Sequence, residues 1–148
     1  MPVNEHDVLL LRTLARFYVL TRDQLQRLCF PDHSSGRSTR KRLLKLQSAG
    51  FIQKHRVPVA FPGTPNAAPV YYLTKDGAAI LASWEEDETY LAVNTRHPRP
   101  DRLNHWIAVN ETRMVIERAI ARQSDLTLER WINEWETVNK AAAASQRF

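Results

Sequence analysis

The stretch LTRDQL (residues 20–25) fixes the start of a short helix and is the strongest local signal in the chain. Thr21 and Gln24 form the Thr-x-x-Gln pattern of a capping box, in which each side chain bonds the backbone N–H of the other residue. The leucines at both ends of the stretch form a hydrophobic staple. The helix must end by Phe30, because Pro31 lacks a backbone N–H and restricts the residue before it.

A longer helix is predicted immediately before this stretch. Asn4 can cap it, and Glu5 and Asp7 complement the positive end of its dipole. Apolar side chains recur at helical spacing from Leu10 to Tyr18. Because almost no loop separates the two helices, they must cross at an angle.

A third helix is predicted downstream, with Ser34 or Ser35 as its cap. Gly50 would follow its last turn in the left-handed conformation, and Phe51 would pack on Leu46, as in a Schellman motif. The side chains of this helix divide into an inward face and a basic face. The inward face contains Thr39, Leu43 and Leu46, and the basic face contains Arg37, Arg40, Lys41 and Lys45.

Two β-rich segments, residues 51–59 and 70–73, predict a hairpin with a proline-rich tip. Of the adjacent Tyr71 and Tyr72, one is expected in the core and the other free to contact a partner. Thr74 can cap the helix that follows. The order helix, helix, basic helix, hairpin, helix is that of a winged helix-turn-helix domain, so the predicted fold class is α+β and mainly α.

The remainder of the chain predicts an extension of this domain. We assign residues 1–84 to the winged helix-turn-helix domain and residues 85–100, which begin with an acidic run, to a linker or ordered excursion. Residues 101–148 are expected to form a helical C-terminal extension with a dimerisation role. Within it, the pattern predicts a long helix from residue 102 to about 123 and a short strand at 126–129.

Length and composition exclude several classes of protein. The 148 residues are 43% hydrophobic and 25% charged, which fits one domain with an appendage. No apolar run approaches the roughly 20 residues of a membrane span, so no membrane association is predicted. The single cysteine, Cys29, cannot form an internal disulfide and suits a reducing compartment, so a cytoplasmic location is expected.

The charge of the chain is concentrated in its first half. The net charge is +5, but residues 1–76 carry +7 and residues 77–148 carry −2. Between Asp32 and Asp76 there are eight Lys or Arg residues and no acid. This block favours an anionic partner for the first half of the chain.

A basic helix beside a hairpin predicts contact with double-stranded DNA. The major groove admits one α-helix, which needs cations for phosphates and polar groups for base edges. Arg37, Arg40, Lys41 and Lys45 would neutralise phosphates, and Ser38, Thr39 and Arg42 are the candidates for contacts with base edges. The strand entering the hairpin would meet the neighbouring backbone. The predicted DNA-binding residues are Arg37, Ser38, Thr39, Arg40, Lys41, Arg42, Lys45, Lys54, His55 and Arg56. A homodimer on a palindromic site is expected from the terminal helices available for pairing.

Several of these motifs resemble known DNA-binding proteins. The segments LTRDQL (20–25), RSTRKRLLKL (37–46), GFI (50–52) and PVYYLTKDG (69–77) are similar to winged-helix regulators of the MarR/PadR type. Together with LNHWIAVN (103–110), they resemble the replication-relaxation family of plasmid and mobile-element proteins. The resemblance covers roughly residues 5–115 and implies a regulator of transcription or of plasmid or mobile-element replication.

Two other functions compete with this prediction. The first is an interaction module that docks on a replication initiator or a relaxase, which the near-neutral, aromatic second half would serve. The second is an enzyme, for which no catalytic set is assembled, so the protein is predicted to be non-catalytic. The histidines have no zinc-site spacing and there is no glycine-rich phosphate loop, so neither a metal nor a cofactor is predicted. Cys29 is expected to be a small core residue.

Overall fold

The computed structural model describes residues 2–33, 35–56 and 68–137. In chain order, its helices and strands are α1 (Glu5–Phe17), β1 (Val19–Thr21), α2 (Arg22–Cys29), α3 (Arg37–Ser48), β2 (Ile52–His55), β3 (Val70–Leu73), α4 (Lys75–Glu85) and α5 (Leu103–Ala121). Short 3-10 turns lie at Glu88–Ala92, Pro100–Arg102 and Glu134–Thr137. This order confirms the predicted winged helix-turn-helix fold, which is mainly helical with a small antiparallel sheet.

The first two helices begin at the predicted capping residues. The hydroxyl of Thr21 accepts the N–H of Gln24, and the Gln24 side chain accepts the N–H of Thr21, which confirms the capping box. Asn4 caps α1, and its box is completed by Asp7, whose carboxylate accepts the N–H of Asn4. α2 ends at Cys29, one residue before the predicted limit at Phe30.

The end of α3 is as predicted, but its beginning is different. Gly50 has a φ of +81°, and the N–H of Phe51 donates to the carbonyl of Leu46 at 3.0 Å, which confirms the Schellman motif. The N-cap is Gly36, so the prediction of a serine cap is wrong. Residues 35 and 36 complete the turn between α2 and α3, which delays the first helical residue to Arg37; Ser34 lies outside the described residues.

The three strands form one antiparallel sheet in the order β1-β3-β2. Ile52 lies opposite Leu73 in the predicted hairpin, and Val19 lies opposite Tyr72 on the other edge of β3. The sequence does not predict β1, because three residues are too few to show the alternation of a strand. This strand links α1 directly to α2 and holds both helices against the sheet.

Both tyrosines of β3 are buried, so the expectation that one of them faces a partner is wrong. Successive strand residues point to opposite faces of a sheet, and here both faces are covered. On the face of the sheet that carries Tyr72, the hydroxyl of this residue lies 2.7 Å from Nδ1 of His97. The excursion after α4 therefore supplies a cover for the back of the sheet, which a sequence pattern cannot show.

The first half of α5 stabilises the junction between α1 and β1. Tyr18 has a φ of +75°, which is uncommon for a residue other than glycine. The buried Asn110 amide donates to the carbonyls of Phe17 and Val19, at 3.1 and 2.5 Å. These two hydrogen bonds lie on either side of Tyr18. The part of α5 that ends at Asn110 therefore belongs to the winged-helix core.

The described residues divide into two compact units between Thr112 and Arg113. The first unit contains the sheet, α1–α4 and the start of α5. In the second unit, Nε of Arg113 donates to Glu117 at 3.0 Å, and its guanidinium lies 5.3 Å from the ring centroid of Trp131. Residues 126–129 form no strand, so that prediction is wrong. An alternating sequence is not sufficient, because a strand needs a neighbour to accept its backbone hydrogen bonds. The domain boundaries at 84 and 100 stay predictions.

α5 is the longest described helix, with 19 residues. Neither it nor another described helix combines the length and apolar composition that crossing a bilayer requires.

Candidate nucleic-acid interface

The outer face of α3 carries three exposed cations, Arg37, Arg40 and Lys41, which we call the α3 stripe. Successive residues of an α-helix are rotated by about 100°, so these three side chains fall within a sector of about 100°. Within residues 2–33, 35–56 and 68–137, no carboxylate forms an ion pair with any of them. The α3 stripe is therefore open to an anionic partner.

Two further cations of α3 turn toward α1 instead. Nζ of Lys45 lies 3.1 Å from Oδ2 of Asp7, and a guanidinium nitrogen of Arg42 lies 3.3 Å from Oδ1. The Asp7 side chain is 0% exposed, whereas those of Arg42 and Lys45 are 25% and 38% exposed. Lys45 and Arg42 lie about 80° and 140° around the helix from Arg37, on the side of α3 that faces the first turn of α1. A buried carboxylate requires a counter-charge, so these cations already serve the fold.

Of the two small polar residues predicted to read bases, Thr39 is fully buried. Its hydroxyl donates to Oε1 of Gln26, which joins α3 to α2. That hydroxyl is held inside the helix-turn-helix and is not directed to a groove. Ser38, in the first turn of α3, is half-buried and remains at the surface.

The predicted contacts on the strand entering the hairpin are placed on two different faces. Lys54 is exposed and lies opposite Tyr71, whereas His55 lies opposite Val70 on the other face of the sheet. The ring centroid of His55 is 4.7 Å from that of His97, so this side chain packs behind the sheet. Arg56 is exposed at the start of the hairpin loop, whose residues 57–67 lie outside the described residues.

Arg22, which is not among the predicted DNA contacts, and Arg40 both act on the buried Tyr71. Burial raises the pKa of the Tyr71 phenol, and the positive charges of Arg22 and Arg40 oppose this shift. Nε of Arg22 would lie 3.9 Å from a Cβ at Gly36, so this guanidinium lies beside the start of α3. With Lys54 opposite Tyr71, the structure brings together cations from α2, α3 and β2.

The charges in the first turns of α2 and α3 are a sequence signal for this surface. Arg22 and Arg37 are cations in the first turns of α2 and α3, and the first turn of α3 contains no acid. The positive end of a helix dipole disfavours a cation and favours an anion. The first turn of α2 also contains Asp23, which offsets Arg22, but no acid offsets Arg37 in α3. A bound anion would therefore relieve an electrostatic penalty at the start of α3, which is a reason to expect a phosphate partner.

The described residues offer little to other kinds of site. No group of three or more His, Cys, Asp or Glu side chains in these ranges could hold a metal ion. Cys29 is buried, with its sulfur 3.3 Å from the hydroxyl of Thr13, and burial raises the pKa of its thiol. It is thus a core residue, as predicted.

Known proteins similar to this chain include two solved structures. A protein with a GntR superfamily winged-helix-turn-helix domain from Halomicrobium mukohataei is 25% identical, with a TM-score of 0.46 over 70% of this chain and 75% of that chain. A candidate transcriptional regulator from Thermoplasma acidophilum is 15% identical, with a TM-score of 0.39 over 80% of this chain and 96% of that chain. No curated protein matches the sequence. A family profile described as replication-relaxation matches residues 11–147, and the chain therefore belongs to the replication-relaxation family.

Proposed function

We propose that this chain is a non-catalytic double-stranded DNA-binding protein that regulates transcription or the replication of a plasmid or mobile element. The observation that supports it most is the α3 stripe, whose three cations point outward and have no carboxylate partner among the described residues. In this proposal α3 lies in the major groove and the β2–β3 hairpin acts as the wing.

Burial and ion pairing support a narrower set of proposed contacts. Phosphates would be met by the α3 stripe, Arg22, Lys54 and Arg56, with Ser38 nearest to base edges. Thr39 and His55 are left out, because the first is buried and the second packs on His97. Arg42 and Lys45 would contribute to the local potential while they remain paired with Asp7. If about five of these six cations each neutralise one phosphate, log K should fall with log salt concentration with a slope of about −4.5.

The decisive experiment compares two triple variants of equal charge change. Arg37→Gln/Arg40→Gln/Lys41→Gln removes the α3 stripe, and Lys75→Gln/Arg118→Gln/Arg122→Gln removes three exposed cations elsewhere. Fluorescence anisotropy with a duplex selected from random sequences measures Kd at salt concentrations from roughly 50 to 200 mM. Loss of binding in the first variant only is expected. Equal weakening in both variants, or binding that does not respond to salt, would contradict the proposal.

A second candidate function is favoured by exposed apolar side chains away from α3. Trp84 and Leu91 are 48% and 60% exposed in the first unit, which suits a protein surface better than DNA. In this alternative the chain docks on a replication initiator or a relaxase. A pull-down with the α3-stripe variant separates the two, because partner binding without DNA binding supports the interaction module.

We further propose that the protein binds a palindromic site as a homodimer, since two-fold symmetry in a protein matches two-fold symmetry in DNA. The mass in solution, with and without the selected duplex, measures this directly. A single protomer on each duplex would contradict it.

A further inference from the structure

Leu44 is an apolar side chain in the middle of the basic outer face of α3. It is 65% exposed, although its neighbours Leu43 and Leu46 are buried. It follows Arg37, Arg40 and Lys41 by seven, four and three residues. By helical geometry it lies within about 60° of each of these cations, so it shares their face.

The surroundings of Leu44 indicate what it contacts. The next residues on the same face, Gln47 and Ser48, are exposed and polar, so Leu44 is ringed by polar and cationic groups. The buried centre of a protein interface is depleted of charged residues, and this pattern is therefore a poor fit to a protein partner. A single apolar group among phosphate-binding cations fits the major groove, where the C5 methyl of thymine is the apolar feature of a base pair.

We propose that Leu44 is a specificity-determining residue that packs on the C5 methyl of a thymine in the bound DNA. This inference rests on the proposed function, because it requires α3 in the major groove. It adds a prediction that does not follow from the phosphate contacts: binding must depend on thymine at one position of each half-site. The cations would bind any duplex, and Leu44 would favour those with a methyl group in the correct place.

The test removes the methyl group from the DNA and the apolar side chain from the protein. Each thymine of a selected duplex is replaced in turn by deoxyuridine, which keeps the hydrogen bonds of the base and lacks only the methyl. The wild-type protein is expected to lose affinity about fourfold at one position per half-site, the value of one buried methyl group. Leu44→Ala should bind the thymine duplex more weakly and should show no loss at that position.

Leu91→Ala is the matched control, because Leu91 is similarly exposed and lies outside α3. It should keep the wild-type response to deoxyuridine. Circular dichroism and thermal melting check that Leu44→Ala folds, which its exposure makes the expected result.

The outcomes separate this inference from the proposed function. If the wild-type protein binds the duplex with the expected salt dependence but Leu44→Ala responds to deoxyuridine as the wild type does, Leu44 is not the reader and only this inference fails. A change of mass in solution for Leu44→Ala, with an unchanged deoxyuridine response, would identify a protein contact and also overturn it. If no duplex binds at all, the proposed function itself fails, and this inference fails with it.

Discussion

Nζ of Lys45 lies 3.1 Å from Oδ2 of Asp7, which ties the second half of the basic helix α3 to the first turn of α1. The same buried carboxylate accepts the N–H of Asn4 and is paired with Arg42. One side chain therefore completes a helix cap and neutralises two cations of α3. The basic residues of α3 have two tasks: those on one side hold the fold together, and those on the other are available to a partner.

Asp7→Asn tests the structural task. The amide keeps an acceptor for the cap but leaves Arg42 and Lys45 without a counter-charge, so the free energy of unfolding should fall. Because both cations are partly exposed, water can replace part of the lost interaction, and a loss of about 1–2 kcal/mol is expected. Urea unfolding measures it. Glu5→Gln, an exposed acid in the same turn, should change stability by less than about 0.5 kcal/mol; equal losses would contradict the role of Asp7.

Lys41→Gln and Lys45→Gln should separate the two tasks within one helix. Lys41 is exposed, so its loss should reduce the magnitude of the salt slope of DNA binding by about 0.9 and leave stability unchanged. Lys45 is paired with Asp7, so its loss should mainly lower the urea midpoint. If Lys45→Gln instead reduced the salt slope and left the urea midpoint unchanged, the ion pair with Asp7 would open when DNA binds.

Gly77→Ala should be severely destabilising. A Cβ at this position would lie 2.0 Å from the carbonyl oxygen of Phe51, which also accepts the N–H of Thr74. Relief of this overlap requires the start of α4 to move away from the sheet, at a cost of about 3 kcal/mol. At Gly36 the nearest atom to a Cβ is 3.9 Å away, so Gly36→Ala should be tolerated. Thermal melting of the two variants checks the contrast, and similar melting temperatures would refute it.

Asn110→Ala should destabilise the winged-helix unit, although the residue lies far along the chain from α1. Its removal takes away two buried hydrogen bonds, those to the carbonyls of Phe17 and Val19, beside Tyr18, whose φ is positive. A loss of about 1–3 kcal/mol is expected for two buried hydrogen bonds. Asn104→Ala, at an exposed position of the same helix, is the control for helix propensity. Chemical denaturation that shows the same midpoint for both variants would exclude this role.

Stability should decrease in strongly alkaline solution. Burial raises the pKa of Tyr18 from 10.0 to about 12, and its hydroxyl donates to the carbonyl of Arg96. Because the unfolded chain loses this proton first, the stabilisation is complete below pH 10 and is lost as the pH rises through about 12. Burial also raises the pKa values of Tyr71 and Tyr72, which adds to the same trend. Urea midpoints measured from pH 9 upward should fall less steeply for Tyr18→Phe than for the wild type; parallel curves would contradict the assignment.

The sequence determined the local structure of the first half of the chain. The Thr21–Gln24 capping box, the Schellman motif at Gly50 and the helical spacing in α3 each depend on residues within a few positions of one another. Such signals are legible because the atoms that form the cap or the turn are adjacent in the chain. Together with the order of elements and the basic helix, they were sufficient for the winged-helix prediction.

The tertiary structure alone decided which of those basic residues are available. Asp7 and Lys45 are 38 residues apart, and no local pattern reveals that the first turn of α1 lies beside the last turns of α3. The same holds for Tyr72, which is covered by His97, and for the three-residue strand β1, which exists only because β3 lies next to it. Periodicity shows that a helix has two faces, but the partner of each face depends on long-range packing. Composition therefore marked this helix as basic, and only the fold separated the cations that pair inside the protein from those that face outward.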